Sequence, residues 1–179
     1  LDPSLVAYSG LVGGDTFDGT YTGVFSDKNV GTGKTVTITS SYSGADVSNY
    51  SVTDQSSTTA NITAKSLTVS GITASDKIYD GSVTATMDGT AAVYSGLVSG
   101  DTFDGSYTGV FSNANVGTGK TVTITPSYNG ADVSNYSVTD QSSTTADISA
   151  KALTATASAS NKTYDGGTTA STTLTFTGL

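Results

Sequence analysis

Pairs of aspartates three positions apart recur at two predicted turns of this chain. Asp15 and Asp18 enclose a Thr-Phe pair and precede a glycine, and Asp101 and Asp104 repeat that arrangement. Carboxylates at a turn are suitable ligands for Ca²⁺, which takes about six to eight oxygens. The spacing does not match an EF-hand and no Glu is present to bind in bidentate fashion. We expect solvated turn residues, with a structural Ca²⁺ on these four aspartates as the alternative.

Other site chemistry is limited by the residue types that the chain lacks. It contains no Cys, His, Arg or Glu, so all 15 acidic residues are Asp and all 7 basic residues are Lys. The usual zinc, iron and copper sites and His-based triads need the missing side chains, and disulfides are excluded. We therefore expect no enzymatic activity and no cofactor.

The pattern K-x-Y-D-G occurs at residues 77–81 and again at residues 162–166. An Asp-Gly pair is typical of a turn, because Gly accepts positive φ and the Asp side chain closes the turn. We expect Tyr79 and Tyr164 to fill the core beside this turn. A self-formed isopeptide or ester crosslink is the alternative. Its candidates are Lys77, Lys162, Gln55 and Gln141.

The charge balance argues against two classes of partner. The chain has a net charge of −8 and a pI of about 4.1. A nucleic acid backbone would be repelled by this charge, and no Lys-rich patch offsets it. No apolar run approaches the length of roughly 18 residues that a membrane-spanning helix needs. We expect neither nucleic acid binding nor a membrane span in this segment.

Most of the chain is one sequence written twice. Residues 8–65 recur at residues 94–151 with 8 substitutions in 58 positions. We call these stretches the first block and the second block, and residues 66–93 the intervening segment. The start of that segment recurs at residues 153–166. A period of this length corresponds to one small domain, so we expect a tandem array in which neighbouring repeats are each other's partners.

Two divisions into domains fit this repetition. The first gives a partial repeat at residues 1–65 that lacks its first strands, a complete repeat at residues 66–151 and the start of a third at residues 152–179. The alternative places one unit at residues 1–86 and a second at residues 87–172. The Ala-Lys pair that ends each block favours the first division.

The hydrophobic pattern predicts an all-β fold. Apolar and polar residues alternate in short runs such as residues 122–124 and 146–150, and Asp-Gly or Asn-Gly pairs separate the runs. We expect six or seven short strands in each repeat, arranged as a small β-sandwich of Ig-like or related mixed-sheet type. No Gly/Ser-rich linker lies at residues 150–152, so successive repeats should form an extended rod.

Five motifs in a fixed order resemble a known family. They are K-x-Y-D-G, S-G-L-V-x-G-D-T, N-V-G-T-G-K-T-V-T, G-A-D-x-x-N-Y and A-x-I-x-A-K, at residues 77–81, 95–102, 115–123, 130–136 and 146–151. This order resembles the YDG repeat domain of large bacterial surface adhesins and secreted proteins of the filamentous haemagglutinin type. The resemblance implies an extracellular, β-rich, tandemly repeated stalk module, and it supplies no catalytic or ligand residues.

Two functions follow as expectations. The first is a structural stalk or spacer repeat of a bacterial surface adhesin or extracellular fibre, in which open strand edges allow self-association by strand addition. The second is a repeated binding module for a glycan, a host protein or a surface, acting by avidity. Threonines gathered on one outward face, such as those of residues 35–39, would favour binding, and threonines on both faces would favour the spacer.

Overall fold

The computed structural model describes residues 6–178, and it confirms the all-β prediction. Strands and their connections account for this part of the chain, with short 3₁₀ turns at Val47–Asn49 and Val133–Asn135. The strands are β1 (Asp18–Phe25), β2 (Gly31–Ser43), β3 (Ser57–Ile62), β4 (Lys65–Ser70), β5 (Thr73–Ala74), β6 (Lys77–Ile78), β7 (Thr84–Ala85), β8 (Met87–Asp88), β9 (Val93–Ser95), β10 (Asp104–Phe111), β11 (Gly117–Asn129), β12 (Tyr136–Thr139), β13 (Ser143–Ser149), β14 (Thr154–Ala159) and β15 (Thr172–Thr177).

The chain divides into two compact units that do not coincide with the sequence repeats. Unit 1 runs up to Leu67 and also takes in Gly96–Phe103 and Gly130–Val138 from the second block. Unit 2 contains the rest, including most of the intervening segment and both long strands of the second block. The division into domains at residues 65 and 151 remains a sequence-based prediction.

Unit 1 is built on an antiparallel sheet in the order β1–β2–β3. Strand β2 alternates threonines with Val36 and Ile38, so one face is apolar and the other polar. The turn from β1 to β2 is closed by Asp27, whose Oδ1 accepts the backbone N–H of Asn29 at 2.8 Å and also pairs with Lys34. Local sequence is therefore sufficient to set the register of this hairpin.

Unit 2 contains a five-stranded sheet in the order β6–β13–β11–β10–β7. The sheet is mixed, since β6 runs parallel to β13 while the other neighbours are antiparallel. Its two edge strands come from the intervening segment and are separated by only a few residues of chain. Lys77 on β6 donates to the carbonyl of Thr84 on β7 at 3.2 Å. Because one lysine side chain connects both edges, the sheet must roll around its core.

That core is formed by apolar residues of four of the five strands, β7, β10, β11 and β13. Phe111 is its largest member, and Ala74 and Met87 from the intervening segment pack against it. The buried members are Ala85, Phe111, Val122, Ala146 and Ile148. The intervening segment thus supplies both the strands that widen the sheet and part of the apolar cover.

Three smaller sheets complete the described structure. Strand β4 lies between β12 and β9 in a three-stranded sheet, with β9 antiparallel to it, and β5 pairs with β8. Strands β14 and β15 form an antiparallel pair of their own near the end of the chain. Within residues 6–178 no helix has the length and apolar character that a membrane crossing requires.

Equivalent phenylalanines in the two blocks offer a matched test of this core. Phe111 is 2% exposed, whereas Phe25, 86 positions earlier in the repeat, is 38% exposed. We expect Phe111→Ala to lower the free energy of unfolding by about 3–5 kcal/mol, since a buried aromatic leaves a cavity. Phe25→Ala should cost less than about half of that, because its ring already contacts water. Urea unfolding followed by circular dichroism measures both, and equal losses would contradict the assigned core.

Candidate functional site

The K-x-Y-D-G motif forms a loop that is held by its lysine. Lys77 Nζ donates to Asp80 Oδ1 and to the carbonyl of Ser82, each at 2.8 Å, in addition to Thr84. Asp80 Oδ1 also accepts the backbone N–H of Ser82 at 2.8 Å, and Gly81 takes the positive φ of 78° that this turn requires. One ammonium group therefore satisfies acceptors along the whole loop.

The environment of this lysine combines charge and apolar surface. Its Nζ lies 5.5 Å from the centre of the Phe111 ring, within the range of a cation–π contact. The hydrogen bond from Lys77 is the main reason that the pKa of Asp80 falls to about 2, and the N–H of Ser82 lowers it further. The loop is accordingly a structural clamp with a permanently ionised carboxylate at neutral pH.

The tyrosine of this motif does not fill the core, and that prediction was wrong. Tyr79 is 41% exposed and Tyr164 is 93% exposed. Lys162 makes two of the bonds of its counterpart, to Asp165 Oδ1 and to the Gly167 carbonyl, each at 2.8 Å. The loop therefore forms from local sequence, and in the first copy of the motif it is the ammonium group of Lys77, not the ring of Tyr79, that lies over a core phenylalanine.

The candidates for a crosslink lie in separate hydrogen-bond networks. Gln141 accepts the backbone N–H of Ile72 at 3.0 Å and donates to the carbonyl of the same residue at 2.7 Å. Gln55 donates to the carbonyl of Ser57 at 2.8 Å. The role of Gln141 is to hold the strand segment after β4, which its sequence context did not indicate.

A cluster of charges in unit 1 joins the first block to loops of the second block. Lys28 Nζ lies 3.2 Å from Asp101 Oδ1 and 3.1 Å from Asp132 Oδ1. The lysine side chain is mostly exposed, whereas both carboxylates are largely buried. We call Lys28, Asp101, Asp132 and the neighbouring Asn135 the block contact.

Asp132 is held in place by hydrogen bonds that do not involve Lys28. Its Oδ2 accepts the backbone N–H of Thr102 at 2.8 Å and the hydroxyl of the same residue at 3.2 Å. The backbone hydrogen bond, followed by the ion pair with Lys28, lowers the pKa of Asp132. In the first block Asp46 Oδ2 makes the equivalent bonds with Thr16 at 2.9 and 3.0 Å. This bracing of a loop by Asp and Thr is thus a property of every block.

Asn135 adds a contact to the backbone of the first block. Its side-chain oxygen accepts the N–H of Val30 at 2.9 Å, and its amide group donates to the side chain of Asn29 at 3.3 Å. A side chain bonded to a backbone N–H constrains position more than a pair of long exposed side chains does. The block contact therefore combines one exposed cation with a short polar connection.

The four aspartates proposed for calcium have different surroundings. Asp101 Oδ2 accepts the hydroxyl of Tyr136 at 2.6 Å, and Asp15 Oδ2 accepts that of Tyr50 at 2.5 Å. Asp104 Oδ1 accepts the N–H of the next residue at 2.8 Å, and Asp18 begins β1. Among residues 6–178 no three His, Cys, Asp or Glu side chains are grouped to hold a metal. The calcium site stays an untested prediction.

Exposed threonines are concentrated on the outer face of each long sheet. Thr35, Thr37 and Thr39 are exposed on β2, and the residues between them face the apolar side. Their cross-strand neighbours extend the face, since Thr22 is opposite Thr39 and Thr59 is opposite Thr35. Strand β11 presents Thr121, Thr123 and Thr125 in the same way. Thr58 and Thr144 lie opposite Val36 and Val122 on the apolar side, so the threonines are concentrated on the outer face but are not confined to it.

The sequence contained a signal for the block contact that pattern reading missed. Position 28 is Lys in the first block, and the equivalent position 114 is Ala, one of only 8 differences in 58 positions. A charge that differs between near-identical blocks marks a place where their surroundings differ. The aspartates at the other side of the contact looked like ordinary turn residues.

The lysine of the K-x-Y-D-G loop provides the first test of these sites. Lys77→Met keeps a long unbranched side chain at this position but removes the ammonium group that donates to the acceptors of the loop. We expect a loss of about 1–3 kcal/mol in the free energy of unfolding. Lys162→Met is the matched control, because its loop is exposed and a much smaller loss is expected there. Equal effects in urea unfolding would contradict the role of Lys77 in closing the sheet.

The block contact is tested by the titration of Asp132 in the variant Lys28→Ala. We expect the pKa of Asp132 to rise but to stay below its ordinary value, since the Thr102 amide remains in place. A depressed folded-state pKa stabilises the fold above about pH 4, and this stabilisation is lost as the pH falls through the folded-state pKa. Carbon NMR of the side-chain carboxyl measures the shift. An unchanged pKa would show that Lys28 does not contact Asp132 in solution.

The comparisons with known proteins agree with the repeat pattern. A family model described as the YDG domain matches residues 2–60 and again residues 63–146. Searches of curated proteins and of solved structures found no match. The two matched segments together cover well over half of the chain, which confirms the resemblance carried by the five motifs. The chain therefore belongs to the YDG domain family.

Proposed function

We propose that this chain is part of the structural stalk of an extracellular bacterial protein, an adhesin or a fibre, and that it is not an enzyme. Its repeats would act as spacers in an extended rod, with neighbouring repeats as their partners. The observation that carries the proposal is the block contact, in which Lys28 and the backbone of Val30 meet side chains of the second block.

A spacer needs stiff connections more than it needs a chemical site. Thr102 donates a hydrogen bond to Asp132, and Asp132 pairs with Lys28. The carboxylate side of the contact is therefore preorganised. Preorganised groups lose less conformational entropy when they pair than flexible ones do. A braced loop of this kind suits a stalk whose length depends on successive repeats keeping their relative position.

Composition supports the same function and an extracellular location. The net charge of −8 makes neighbouring stalks repel one another, which favours separate, soluble rods. Duplication of an almost unchanged block lengthens the chain without requiring a new sequence to fold. No side chain of the chain depends on a reducing compartment, because Cys is absent.

The threonine faces favour a second candidate function. A row of exposed hydroxyls on β2 and its neighbours could bind a glycan, a host protein or a surface, and repetition of the row would add avidity. Under this alternative the repeats themselves carry the ligand affinity, and the stiffness of the connection matters less.

Adhesion of cells that display the protein distinguishes the two functions. The repeats are replaced by unrelated β domains of the same total length, and adhesion is compared with that of the unchanged protein. The spacer function predicts that adhesion is retained. A loss of adhesion at equal length would overturn the spacer proposal in favour of binding by the repeats.

A second variant makes the outcome specific to the threonine face. Replacing Thr35, Thr37 and Thr39 by Ser removes their methyl groups while it keeps the hydroxyls and the strand pattern. The spacer function predicts unchanged adhesion in this variant as well. Reduced adhesion with normal surface display and normal circular dichroism would support the binding function.

A further inference from the structure

The loop that carries Asp132 follows an asparagine that the first block does not have. Asn129 ends β11 and precedes Gly130, whereas the equivalent position in the first block is Ser43. Asn129 is also the only asparagine of the sequence that precedes a glycine. Because glycine has no Cβ, it leaves the backbone nitrogen that follows the asparagine unhindered. The second block therefore contains a reactive dipeptide at a position where the first block has none.

The side chain of Asn129 is free to react. It is exposed, and within residues 6–178 no hydrogen bond holds its amide. Other asparagines are fixed by their contacts, since Asn61 accepts the N–H of Gly33 at 2.8 Å. Asn113 likewise accepts the N–H of Asn115 at 3.0 Å. The amide of Asn129 can rotate until its carbonyl carbon approaches the nitrogen of the next residue.

The backbone at Asn129 is the end of a strand with one paired neighbour. Asn129 lies opposite Asp104 on β10, while the register of β11 with β13 ends at Thr123. Strand ends open more readily than strand centres do. The backbone rotation that brings the nitrogen to the side chain is therefore easier here than within the sheet.

We propose that Asn129 is a site of spontaneous deamidation, and that the modified residue loosens the block contact. The backbone nitrogen of Gly130 loses its proton to solvent and attacks Cγ of Asn129. The new N–Cγ bond closes a succinimide ring, and the side-chain nitrogen leaves as ammonia after it takes a proton from solvent. Water then breaks one of the two bonds between the ring nitrogen and its carbonyl carbons.

Two products follow from the opening of this ring. Cleavage at Cγ gives aspartate with the original main chain. Cleavage at the backbone carbonyl gives isoaspartate, in which the main chain runs through Cβ and Cγ of residue 129. The net reaction consumes water and releases ammonia, and the neutral amide becomes a carboxylate in both products.

The residues after Asn129 are packed closely against Thr102. A Cβ built on Gly130 would lie 2.3 Å from the carbonyl oxygen of Thr102. The N–H of Ala131 donates to the Thr102 hydroxyl at 3.0 Å, and Asp132 accepts the Thr102 N–H at 2.8 Å. Isoaspartate adds a methylene group to the main chain directly before this segment. Because the segment has no room to absorb the extra length, the loop shifts and Asp132 shifts with it.

Either product also places a negative charge opposite an existing one. Residues 129 and 104 are direct partners in the antiparallel pair, so their side chains lie on the same face of the sheet. Like charges at opposed positions destabilise such a pair. The end of β11 is therefore held less firmly after the reaction.

The asparagine is not required for the turn that it enters. Gly44 in the first block has a φ of 130° and Gly130 has a φ of 125°, so Ser43 supports the same backbone. The amide thus adds reactivity and no conformation. It does so in the block whose loop receives Lys28. The consequence of the reaction rests on the block contact of the proposed function, whereas the chemistry at Asn129 does not.

Mass spectrometry of the whole chain after storage at mildly alkaline pH tests the site. We expect Asn129 to deamidate about tenfold or more faster than Asn115, which is also exposed but precedes a β-branched valine. Peptide mapping locates the change from amide to acid, and an isoaspartyl-specific methyltransferase labels the isoaspartate. Asn129→Ser is the matched control and should show no fast reaction. Equal rates at the two asparagines would overturn the assigned site.

Hydrogen exchange of the Val30 N–H tests the consequence. This N–H donates to Asn135 in the block contact at 2.9 Å. In the protein that contains isoaspartate it should exchange about tenfold or more faster. The N–H of Gly33, bonded to Asn61 outside the contact, should not change. Storage of Asn129→Ser should leave both rates as they were, and unchanged exchange at Val30 beside isoaspartate would overturn the loosening.

The variant Asn129→Asp separates the added charge from the lengthened main chain. We expect it to speed the exchange of the Val30 N–H less than isoaspartate does, since its main chain is unchanged. An equal effect would contradict the role of the lengthened chain. The adhesion test of the spacer function can fail while Asn129 reacts as proposed, so different measurements overturn the two proposals.

Discussion

The ammonium group of Lys77 closes the fold of unit 2. It connects the two edge strands of the five-stranded sheet, β6 and β7, through the Thr84 carbonyl, and it lies over the ring of Phe111. An open sheet would leave the outward backbone N–H and C=O groups of both edge strands unpaired. Because a single cation satisfies the carboxylate and carbonyls of the loop, the edges stay together and the apolar strands face inward.

The two blocks show how much of the burial comes from outside the block. Their sequences differ at 8 of 58 positions, yet Phe111 is buried where Phe25 is half exposed. Strands β6 and β7 of the intervening segment border the sheet of the second block, and Ala85 of β7 belongs to the same buried cluster as Phe111. Hydrophobic burial here is a property of neighbouring sequence segments that come together, and each block alone supplies only part of a core.

The polar contacts on which the proposed function rests also depend on a neighbouring block. The block contact uses turn residues whose local role is to brace a loop, and only the presence of another block gives Lys28 and Val30 their partners. The threonine faces are the outer side of strands whose inner side is required by the core. A stalk and a binding surface can therefore arise from one pattern, and adhesion measurements decide which of the two the organism uses.

The sequence by itself determined the all-β class, the repeat and the local K-x-Y-D-G turn. These features depend on side-chain alternation and on Asp-Gly or Asn-Gly turns, which act within about ten residues. Only the tertiary structure decided that Lys77 and not Tyr79 covers Phe111, that Gln141 holds Ile72, and that Asp132 accepts Lys28. Those partners are separated by many residues of chain, and alternation and turn residues do not encode which surfaces meet when the segments pack.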